Sequence, residues 1–190
     1  MDYAIFLHQH IEAVIALTDE EFQTILPYFS PIEVNKKALI IEAGQIITSE
    51  FLVVKGCLKA FTEDEVGKEY IIQFAMEDWW ISDYPALVNE SKGNMCVQAL
   101  EDCLVLELSF DNRKKMCEAV PKMYIFHGQK AFSGYVALQK RVLSMMKNSA
   151  KEKYELLLHQ YPALFQRVSK TMIAQYLGVS RETLSRLEKK

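Results

Sequence analysis

Several features that mark other classes of protein are missing from this sequence of 190 residues. Its first residues, MDYAIFLHQHIEAVIAL, lack the basic segment of a secretory signal, and no apolar run approaches the roughly 18 residues of a membrane span. There is no phosphate-binding glycine-rich loop, no GxSxG elbow and no HExxH motif. The sequence therefore predicts a cytoplasmic protein without a membrane partner, and we expect that it is not an enzyme.

Cysteine and histidine are also scarce, with four of each. The cysteines form no CxxC pair and lie far apart: Cys57, Cys96, Cys103 and Cys117. This spacing argues against a zinc site or an iron–sulfur cluster, and we expect buried, reduced thiols. Haem ligation stays open for the histidines: His8, His10, His127 and His159. The HxH pattern is more typical of a polar helix face, so we expect no metal and no cofactor.

Arginine is absent from the first 112 residues, and positive charge is concentrated toward the other end of the sequence. Residues 1–140 contain 12 Lys and Arg against 21 Asp and Glu, a net charge of −9. Residues 141–190 contain 10 Lys and Arg against 4 Asp and Glu, a net charge of +6. A basic segment attracts a polyanion, whereas an acidic body is repelled by one. This asymmetry indicates a nucleic-acid reader that is carried by a second domain.

The spacing of apolar residues divides the chain into a β-rich part and a helical part. Thr18 and Glu21 form a capping box ahead of helically spaced apolar residues, which predicts an N-terminal helix. Residues 33–110 contain the runs KALIIEAG, EFLVVKGCLKAFT, KEYIIQFAM and CLVLELSF, which are separated by turn signals such as Gly44 and Gly56. Many short strands at this spacing predict an antiparallel barrel or roll.

Ser109 is predicted to cap a helix in the segment FDNRKKMCEAV. A second, long helix is predicted from Pro121 to about Lys147. One apolar seam follows heptad spacing: Ile125, Gln129, Phe132, Val136, Gln139, Leu143 and Met146. A second seam runs beside it: Tyr124, Ala131, Tyr135, Leu138, Val142 and Met145. One interpretation buries this helix inside its own domain. The other, which we favour, pairs one seam with a second copy of the chain while the other seam packs on the roll.

The segment SKTMIAQYLGVSRETLSRL has the packing positions of a helix-turn-helix. Gly178 supplies a residue that can adopt a positive φ at the turn, and Ser180 can cap the second helix. The residues predicted to pack between the two helices are Ile173, Ala174, Leu177, Val179, Leu184 and Leu187. The alternative is a solvated helix with exposed charges.

The order of an N-terminal helix, a β-roll, a long helix and a helix-turn-helix resembles the Crp/Fnr superfamily of bacterial transcription factors (cyclic-AMP receptor protein and fumarate-nitrate regulator). FLVVKGCLKAFTEDEVGKEYIIQF is similar to the family's roll, with Gly56 and Gly67 at its turns, and SRETLSRL is close to the family's recognition-helix signature. The resemblance implies an α+β fold. Residues 1–120 would form an antiparallel, cyclic-nucleotide-binding-like β-roll of the jelly-roll type, 121–147 a dimerisation helix, and 148–190 a helix-turn-helix DNA-binding domain that lacks a wing.

The resemblance assigns base reading to the second helix of the motif. Arg181 and Arg186 match arginines that bind guanine O6 and N7, and Glu182 matches a carboxylate that accepts from cytosine N4. Ser185 is expected to support them, and the pairings agree with the donors and acceptors of the major groove. Phosphate contacts are expected from five residues: Ser169, Lys170, Thr171, Ser180 and Lys189.

The resemblance also implies partners. We expect a homodimer on double-stranded DNA, with two recognition helices about 34 Å apart on a pseudo-palindromic operator. The expected dimer contacts are Ile125, Phe132, Val136, Leu143 and Met146. RNA polymerase is a candidate partner. The rival hypothesis is a small-molecule-binding or protein-interaction module with a cupin-like roll and no specific DNA binding, which would not lose DNA affinity steeply with salt.

The sensor half departs from the family pattern, in which Gly-Glu binds a ribose hydroxyl and Arg-Ser or Arg-Thr, about ten residues on, binds the phosphate. Here Ser82 and Asp83 stand at the first position, and residues 93–95 (Gly-Asn-Met) stand at the second. We therefore do not expect cyclic-nucleotide binding in the usual mode, and the effector is unknown. The candidate effector pocket comprises Phe61, Trp79, Trp80, Asp83, Tyr84 and Lys92. Its aromatic residues either close the pocket as a core or bind an apolar ligand.

Overall fold

The computed structural model describes residues 2–187, in which helices flank a β-rich segment at both ends. The helices are α1 (Tyr3–Glu12), α2 (Asp19–Ile25), α3 (Tyr84–Val88), α4 (Phe110–Ala119), α5 (Met123–Lys147), α6 (Ala150–Gln160), α7 (Leu164–Arg167), α8 (Lys170–Leu177) and α9 (Arg181–Leu187). The strands are β1 (Ser30–Val34), β2 (Leu39–Ile41), β3 (Ser49–Lys55), β4 (Leu58–Glu63), β5 (Glu69–Ala75), β6 (Trp80–Ile81), β7 (Cys96–Ala99) and β8 (Cys103–Ser109). A short 3₁₀ helix, Leu26–Tyr28, follows α2. Among residues 2–187, none of the helices combines the length and apolarity of a transmembrane span.

The strands form an antiparallel roll, as the sequence predicts. One sheet has the order β1-β8-β3-β6 and the other the order β2-β7-β4-β5, and the pairings within both are antiparallel. Gly56 turns the chain between β3 and β4 with a φ of 109°. A Cβ atom at Gly56 would lie 2.4 Å from the Cys103 sulfur, so both the backbone angle and the space at this turn require glycine.

Three clusters of buried apolar residues hold the elements together. The first fills the inside of the roll and includes Val53, Leu58 and Val105. The second packs α1, α2, α4 and the start of α5 against one sheet, around Leu52 and Leu106. The third packs the C-terminal helices against β4 and β5. The roll is therefore covered on two sides by helices, and the C-terminal helices share a buried apolar cluster with it.

The helix starts follow local capping signals. Thr18 and Glu21 form the predicted capping box, in which Thr18 N–H donates to the Glu21 carboxylate at 2.8 Å and Glu21 N–H donates to the Thr18 hydroxyl at 3.2 Å. Ser109 caps α4 by accepting from the N–H of Asn112 at 3.1 Å, also as predicted. α5 begins at Met123 instead of Pro121, because Pro121 lies in the turn that leads into the helix.

Both apolar seams of α5 are exposed in the single chain, which corrects an expectation from the sequence. The exposed members are Tyr124, Ile125, Phe132, Tyr135, Leu138, Val142, Leu143, Met145 and Met146, and Val136 is partly buried. α5 contacts its own chain through a third face, on which Met123 and Phe126 are buried and Arg141 is partly buried. The second seam therefore does not pack on the roll, and the helix is not buried within its domain. Apolar periodicity could not show this face, because polar side chains make part of its contacts.

His10 is buried and His127 is partly buried where α1, β6 and α5 meet. The Trp80 indole N–H donates to His10 Nε2 at 3.1 Å, so His10 carries its proton on Nδ1, which lies 3.1 Å from an Asp78 carboxylate oxygen. Burial, and then the positive charge of Lys130, lower the pKa of His10 to about 4. Burial is also the main cause that lowers the pKa of His127 to about 3, and its Nε2 atom has no hydrogen-bond partner.

These two histidines predict a loss of stability in mild acid. In the unfolded chain each binds a proton near pH 6.5, whereas the folded chain resists protonation until about pH 4 or pH 3. The contribution of the two histidines to the free energy of unfolding is therefore fully present above pH 6.5. It falls as the pH drops from 6.5 toward 4, by up to about 1.4 kcal/mol per pH unit for each histidine. Thermal unfolding across this range measures the slope.

Variants at the histidines separate their contribution from that of the carboxylates. His127→Phe keeps an aromatic ring in place and should flatten the pH dependence, because one of the two groups that resist protonation is removed. His159 is exposed, and His159→Gln should leave the slope unchanged. An equal slope in wild type and His127→Phe would contradict this assignment.

Candidate nucleic-acid interface

α8 and α9 form the helix-turn-helix that the sequence predicts. Ser169 caps α8 by accepting from the N–H of Met172 at 3.2 Å. Gly178 ends α8 in the left-handed conformation, with a φ of 68°, and the N–H of Val179 donates to the carbonyl of Ala174 at 3.0 Å. This is a glycine-terminated helix end, in which a residue with a Cβ atom would be strained. The turn thus sets the angle between the two helices.

Apolar side chains on the inner faces of α8 and α9 fix the motif. The buried members are Ile173, Ala174, Leu177 and Leu184, and Val179 and Leu187 are partly buried. Leu184 retains only 1% of its surface exposed, so one side of α9 is fully covered. The remaining sides of α9 are consequently available to a partner.

The outer face of α9 presents donors and an acceptor of hydrogen bonds. The Ser180 hydroxyl starts the helix by accepting from the N–H of Thr183 at 3.1 Å. Four polar side chains are exposed beyond it: Arg181, Glu182, Ser185 and Arg186. Hydrogen bonds from its own backbone N–H and from the Ser180 hydroxyl lower the pKa of the Glu182 carboxyl. Glu182 is therefore ionised at neutral pH and can accept, while the two guanidinium groups donate.

The residues expected at phosphates lie at the two helix starts. Ser169, Lys170 and Thr171 are exposed at the start of α8, and Ser180 is exposed at the start of α9. The Ser169 hydroxyl accepts the cap hydrogen bond and still has its own hydrogen to donate. Lys189, the fifth expected phosphate contact, lies outside the described residues.

The helix-turn-helix is held against the outer face of β4 and β5 by what we term the docking cluster. Its buried members are Cys57, Phe61, Ile71, Phe74, Leu157, Leu164, Val168, Ile173, Ala174, Leu177 and Leu184. Ring contacts extend it, with Phe74 and Tyr176 at 5.2 Å and Trp79 and Tyr161 at 4.9 Å between centroids. α9 is thereby carried at a fixed place on the roll, with its polar face directed outward.

Arg167, the last residue of α7, ties the motif to two carboxylates of the roll. Its guanidinium donates to both oxygens of Glu77, at 2.7 and 2.9 Å, and to Glu101, with Nε at 3.1 Å. Burial alone would raise the pKa of Glu77, but hydrogen bonds from Arg167 and from the N–H of Gly56 lower it to about 2. This forked arrangement of donors and acceptors is strongly directional.

Arg141 joins α5 to both the roll and the motif. Its guanidinium donates to the carbonyl groups of Ile71 and Ile72 on β5 and to that of Tyr176 on α8, the last at 3.1 Å. The guanidinium carbon also lies 3.9 Å from the centre of the Tyr176 ring. Burial lowers the pKa of Arg141, but the side chain stays charged at neutral pH because an arginine titrates only in strong alkali.

Arg141 and Arg167 are functional candidates that the sequence analysis missed. The chain has five arginines: Arg113, Arg141, Arg167, Arg181 and Arg186. Arg113 pairs with the buried Glu50 at 3.0 Å, and Arg181 and Arg186 lie on the recognition face. The one signal for them in the sequence is that arginine, which is scarce elsewhere, occurs repeatedly near the motif. The carboxylate and carbonyl partners of these arginines cannot be identified from sequence spacing.

The six residues proposed for an effector pocket are spread over separate parts of the structure. Trp79 and Trp80 are adjacent in sequence, but their rings contact different residues, Tyr161 and His10 respectively. The other four are equally dispersed: Phe61 is in the docking cluster, Asp83 caps α3, Tyr84 pairs with Glu50, and Lys92 is exposed. These six residues therefore do not form a shared pocket.

Asp83 occupies a polar pocket of the chain's own backbone. One carboxylate oxygen accepts from the N–H groups of Asn94 at 2.8 Å and Met95 at 3.2 Å, and the other accepts from Ala86 at 3.3 Å. Asp83 is 3% exposed, and a Cβ atom on Gly93 would lie 3.1 Å from its carboxylate. The backbone donors around position 94 are thus already paired with an anion that belongs to the chain.

The described side chains do not favour a metal or haem. Within residues 2–187, there is no group of three His, Cys, Asp or Glu side chains placed to hold a metal ion. Both ring nitrogens of His10 are engaged, with Trp80 and Asp78, so haem ligation by either nitrogen of His10 would break one of these hydrogen bonds. Burial raises the pKa of the Cys57 thiol to about 12, which keeps it protonated and unreactive.

Comparisons with known proteins agree with this architecture. Residues 31–120 match the cyclic nucleotide-binding domain family. The chain is 23% identical over 165 residues to the cAMP-activated global transcriptional regulator CRP of Haemophilus influenzae, covering 80% of this chain and 73% of that protein. It is 27% identical over 165 residues to the regulatory protein HlyX of Actinobacillus pleuropneumoniae, covering 81% and 68%.

A solved structure extends the similarity to the whole fold. The c-di-GMP responsive global regulator CLP of Xanthomonas campestris superposes with a TM-score of 0.72 at 12% identity, covering 90% of each chain. The shared region thus includes the roll and the helices that follow it.

Proposed function

We propose that the chain is a DNA-binding transcriptional regulator of the Crp/Fnr superfamily and that it acts as a homodimer on a pseudo-palindromic operator, and its similarity to the cyclic nucleotide-binding domain family and to the regulators CRP and HlyX supports this proposal. The observation that carries this proposal is the recognition face of α9. Arg181, Glu182 and Arg186 are exposed there, while Leu184 anchors the opposite side of the helix in the motif. A helix held in this way can enter the major groove with its polar side chains toward the bases.

The chemistry of this face suggests which bases are read. A guanidinium group donates two parallel hydrogen bonds, which match O6 and N7 of guanine, and we assign this role to Arg181 and Arg186. The ionised Glu182 accepts from N4 of cytosine, and Ser185 supports these contacts. Ser169, Lys170, Thr171 and Ser180 lie at helix starts, where they can hold phosphates and fix the register of α9 on the duplex.

We assign dimerisation to the first seam of α5. Phe132 is 69% exposed in the single chain, and Ile125, Leu143 and Met146 are exposed on the same seam, beside Val136. An apolar seam of heptad spacing is stabilised when two helices pack side by side. The face of α5 that carries Arg141 contacts the chain's own roll and motif, which leaves the seam free for a second copy.

These assignments divide the chain into three parts with different functions. We propose that residues 1–120 form the sensor-like roll, 121–147 the dimerisation helix and 148–190 the DNA-binding part. A regulator of bacterial DNA works beside the chromosome, which places it in the cytoplasm.

We further propose that the roll does not take a cyclic nucleotide in the usual mode. Its interior is filled by apolar side chains, and Asp83 already supplies a negative charge to the N–H groups of Asn94 and Met95. A ligand phosphate at these donors would have to displace or face this buried carboxylate. No arginine precedes Arg113, which pairs with Glu50, so the strands and loops from β1 to β8 contain no guanidinium group to compensate the added charge.

Base reading is tested by a matched pair of substitutions that each remove one positive charge. Arg186→Ala should lose about 1 to 3 kcal/mol of discrimination at one guanine position, because the bidentate contact is lost. Lys170→Ala should weaken binding to all sequences alike. It should also reduce the slope of log affinity against log salt concentration by about one. Fluorescence anisotropy with an operator duplex and its single-base variants, at several salt concentrations, measures both effects. Unchanged base preference in Arg186→Ala would contradict the assignment.

The dimer seam is tested by one charge placed on either seam of α5. Phe132→Glu should convert the dimer to a monomer, because two carboxylates would meet in an apolar interface. Tyr135→Glu is the control, since Tyr135 is 60% exposed on the second seam and should leave the dimer intact. Sedimentation or light scattering at micromolar concentration reports the mass. A monomeric wild type, or dissociation by Tyr135→Glu alone, would show that the first seam is not the interface.

The effector assignment is tested by titration. Cyclic AMP and cyclic GMP should give no saturable change in tryptophan fluorescence at micromolar concentration, because Asp83 holds the backbone donors of the cassette. The two tryptophans, Trp79 and Trp80, precede Asp83 closely enough to report a ligand at this place. Saturation in the micromolar range would overturn the proposal.

A further inference from the structure

Two arginines that lie away from the recognition face connect the helix-turn-helix to the rest of the chain. We propose that Arg141 and Arg167 are positioning residues that set the distance between the two recognition helices, and hence the half-site spacing that the dimer accepts. This inference rests on the proposed function, that is, on a dimer that binds two half-sites. It adds a specificity determinant that contacts no base.

Arg141 links the three structural units at one point. It belongs to α5, and its guanidinium donates to the carbonyl groups of Ile71 and Ile72 on β5 and of Tyr176 near the end of α8. β5 is the edge strand of its sheet, and its pairing with β4 is irregular opposite these residues, because Ile71 lies across from Phe61 but Gln73 lies across from Ala60. The Tyr176 ring lies against the same guanidinium at 3.9 Å, which restricts its orientation further.

Arg167 makes the second link, before the start of α8. It lies three residues before Lys170, the residue at which α8 begins after the Ser169 cap. Its guanidinium binds Glu77 in a bidentate manner and also binds Glu101, so the start of α8 is held by two carboxylates of the roll. The side chains of these three residues are between 21% and 39% exposed, so the links are only partly screened by water.

Together the two links hold α8 at both ends. Arg167 fixes the approach to its start, and Arg141 fixes the carbonyl of Tyr176 close to its end. Apolar contacts of the docking cluster are not directional, so they resist separation of the two units more than they resist sliding. Bidentate hydrogen bonds are directional and oppose sliding. α9 follows α8 through the fixed turn at Gly178, so its position relative to α5 depends on both arginines.

This geometry matters because two half-sites must be engaged at once. In a two-fold dimer, a displacement of one motif relative to α5 is repeated in the other, and the distance between the recognition helices changes by both displacements. Simultaneous binding raises the overall affinity by about a hundredfold or more, and this gain is lost when the geometry does not match. A rigidly held motif should therefore accept one spacing, and a loosely held motif several.

The test uses the full-length dimer and a series of duplexes in which the two half-sites are moved apart one base pair at a time. Wild type should lose about a hundredfold in affinity one or two base pairs away from its preferred spacing. Arg141→Met and Arg167→Met should lose roughly tenfold or less over the same series, because their motifs can adjust. Base preference within a half-site should stay as in wild type, because the recognition face is unchanged.

Two controls exclude a simple effect of charge on DNA binding. Lys140→Met removes a positive charge from the exposed residue next to Arg141 and should keep the wild-type spacing preference. Glu77→Gln weakens the ion pair between Glu77 and Arg167 by a change in the roll. This substitution leaves the positive charge of the motif unchanged. It should broaden the accepted spacing as Arg167→Met does. An effect of Arg167→Met without an effect of Glu77→Gln would show that Arg167 acts on DNA directly and would overturn the proposal.

The remaining outcomes separate this inference from the proposed function. If wild type binds no duplex with two half-sites, the proposed function fails. If wild type binds with a spacing preference and both arginine variants retain it, only the positioning role fails. Circular dichroism and sedimentation of each variant confirm that it is folded and dimeric, and loss of base preference in a folded variant would also count against the positioning role.

Discussion

The packing of α8 against the outer face of β5 is the contact on which the arrangement of this protein depends. Phe74 on the strand and Ile173 and Leu177 on the helix are buried together in the docking cluster. Because one face of α8 is buried in this way, the motif cannot rotate freely about the end of α5. The recognition face of α9 is thus exposed in a defined direction, while the covered side of α9 completes the same core through Leu184. Burial of apolar surface supplies the stability of the contact, and the guanidinium hydrogen bonds supply its direction.

Features that depend on a few consecutive residues could be predicted from the sequence. The capping box at Thr18, the cap at Ser109 and the left-handed residue at Gly178 are each specified by local chemistry, and the structure confirms them. The antiparallel roll and the helix-turn-helix were also predicted, because alternation of apolar residues and helical spacing survive in a single sequence. The exposure of Arg181 and Arg186 follows directly, since the inward positions of α9 are taken by leucines.

Features that depend on distant residues could not be predicted in this way. Trp79 and Trp80 were grouped in one pocket by proximity in sequence, but Trp79 precedes β6 and contacts Tyr161 whereas Trp80 begins β6 and contacts His10, so they lie in different clusters. The second seam of α5 was expected to pack on the roll, yet Tyr135 is 60% exposed and Arg141 makes the contact instead. A polar contact with backbone carbonyls leaves no pattern in the sequence. The placement of the site residues on DNA stays a prediction.

The central proposal is that this chain binds two half-sites as a dimer, with α9 of each copy in contact with the bases. Selection of bound duplexes from a random library by the wild-type protein tests it most directly, because sequence, symmetry and spacing emerge from one measurement. We predict an enriched inverted repeat, rich in G·C pairs at the positions facing Arg181, Glu182 and Arg186, with half-site centres about one helical turn apart. Absence of enrichment, or a single half-site without symmetry, would contradict the account.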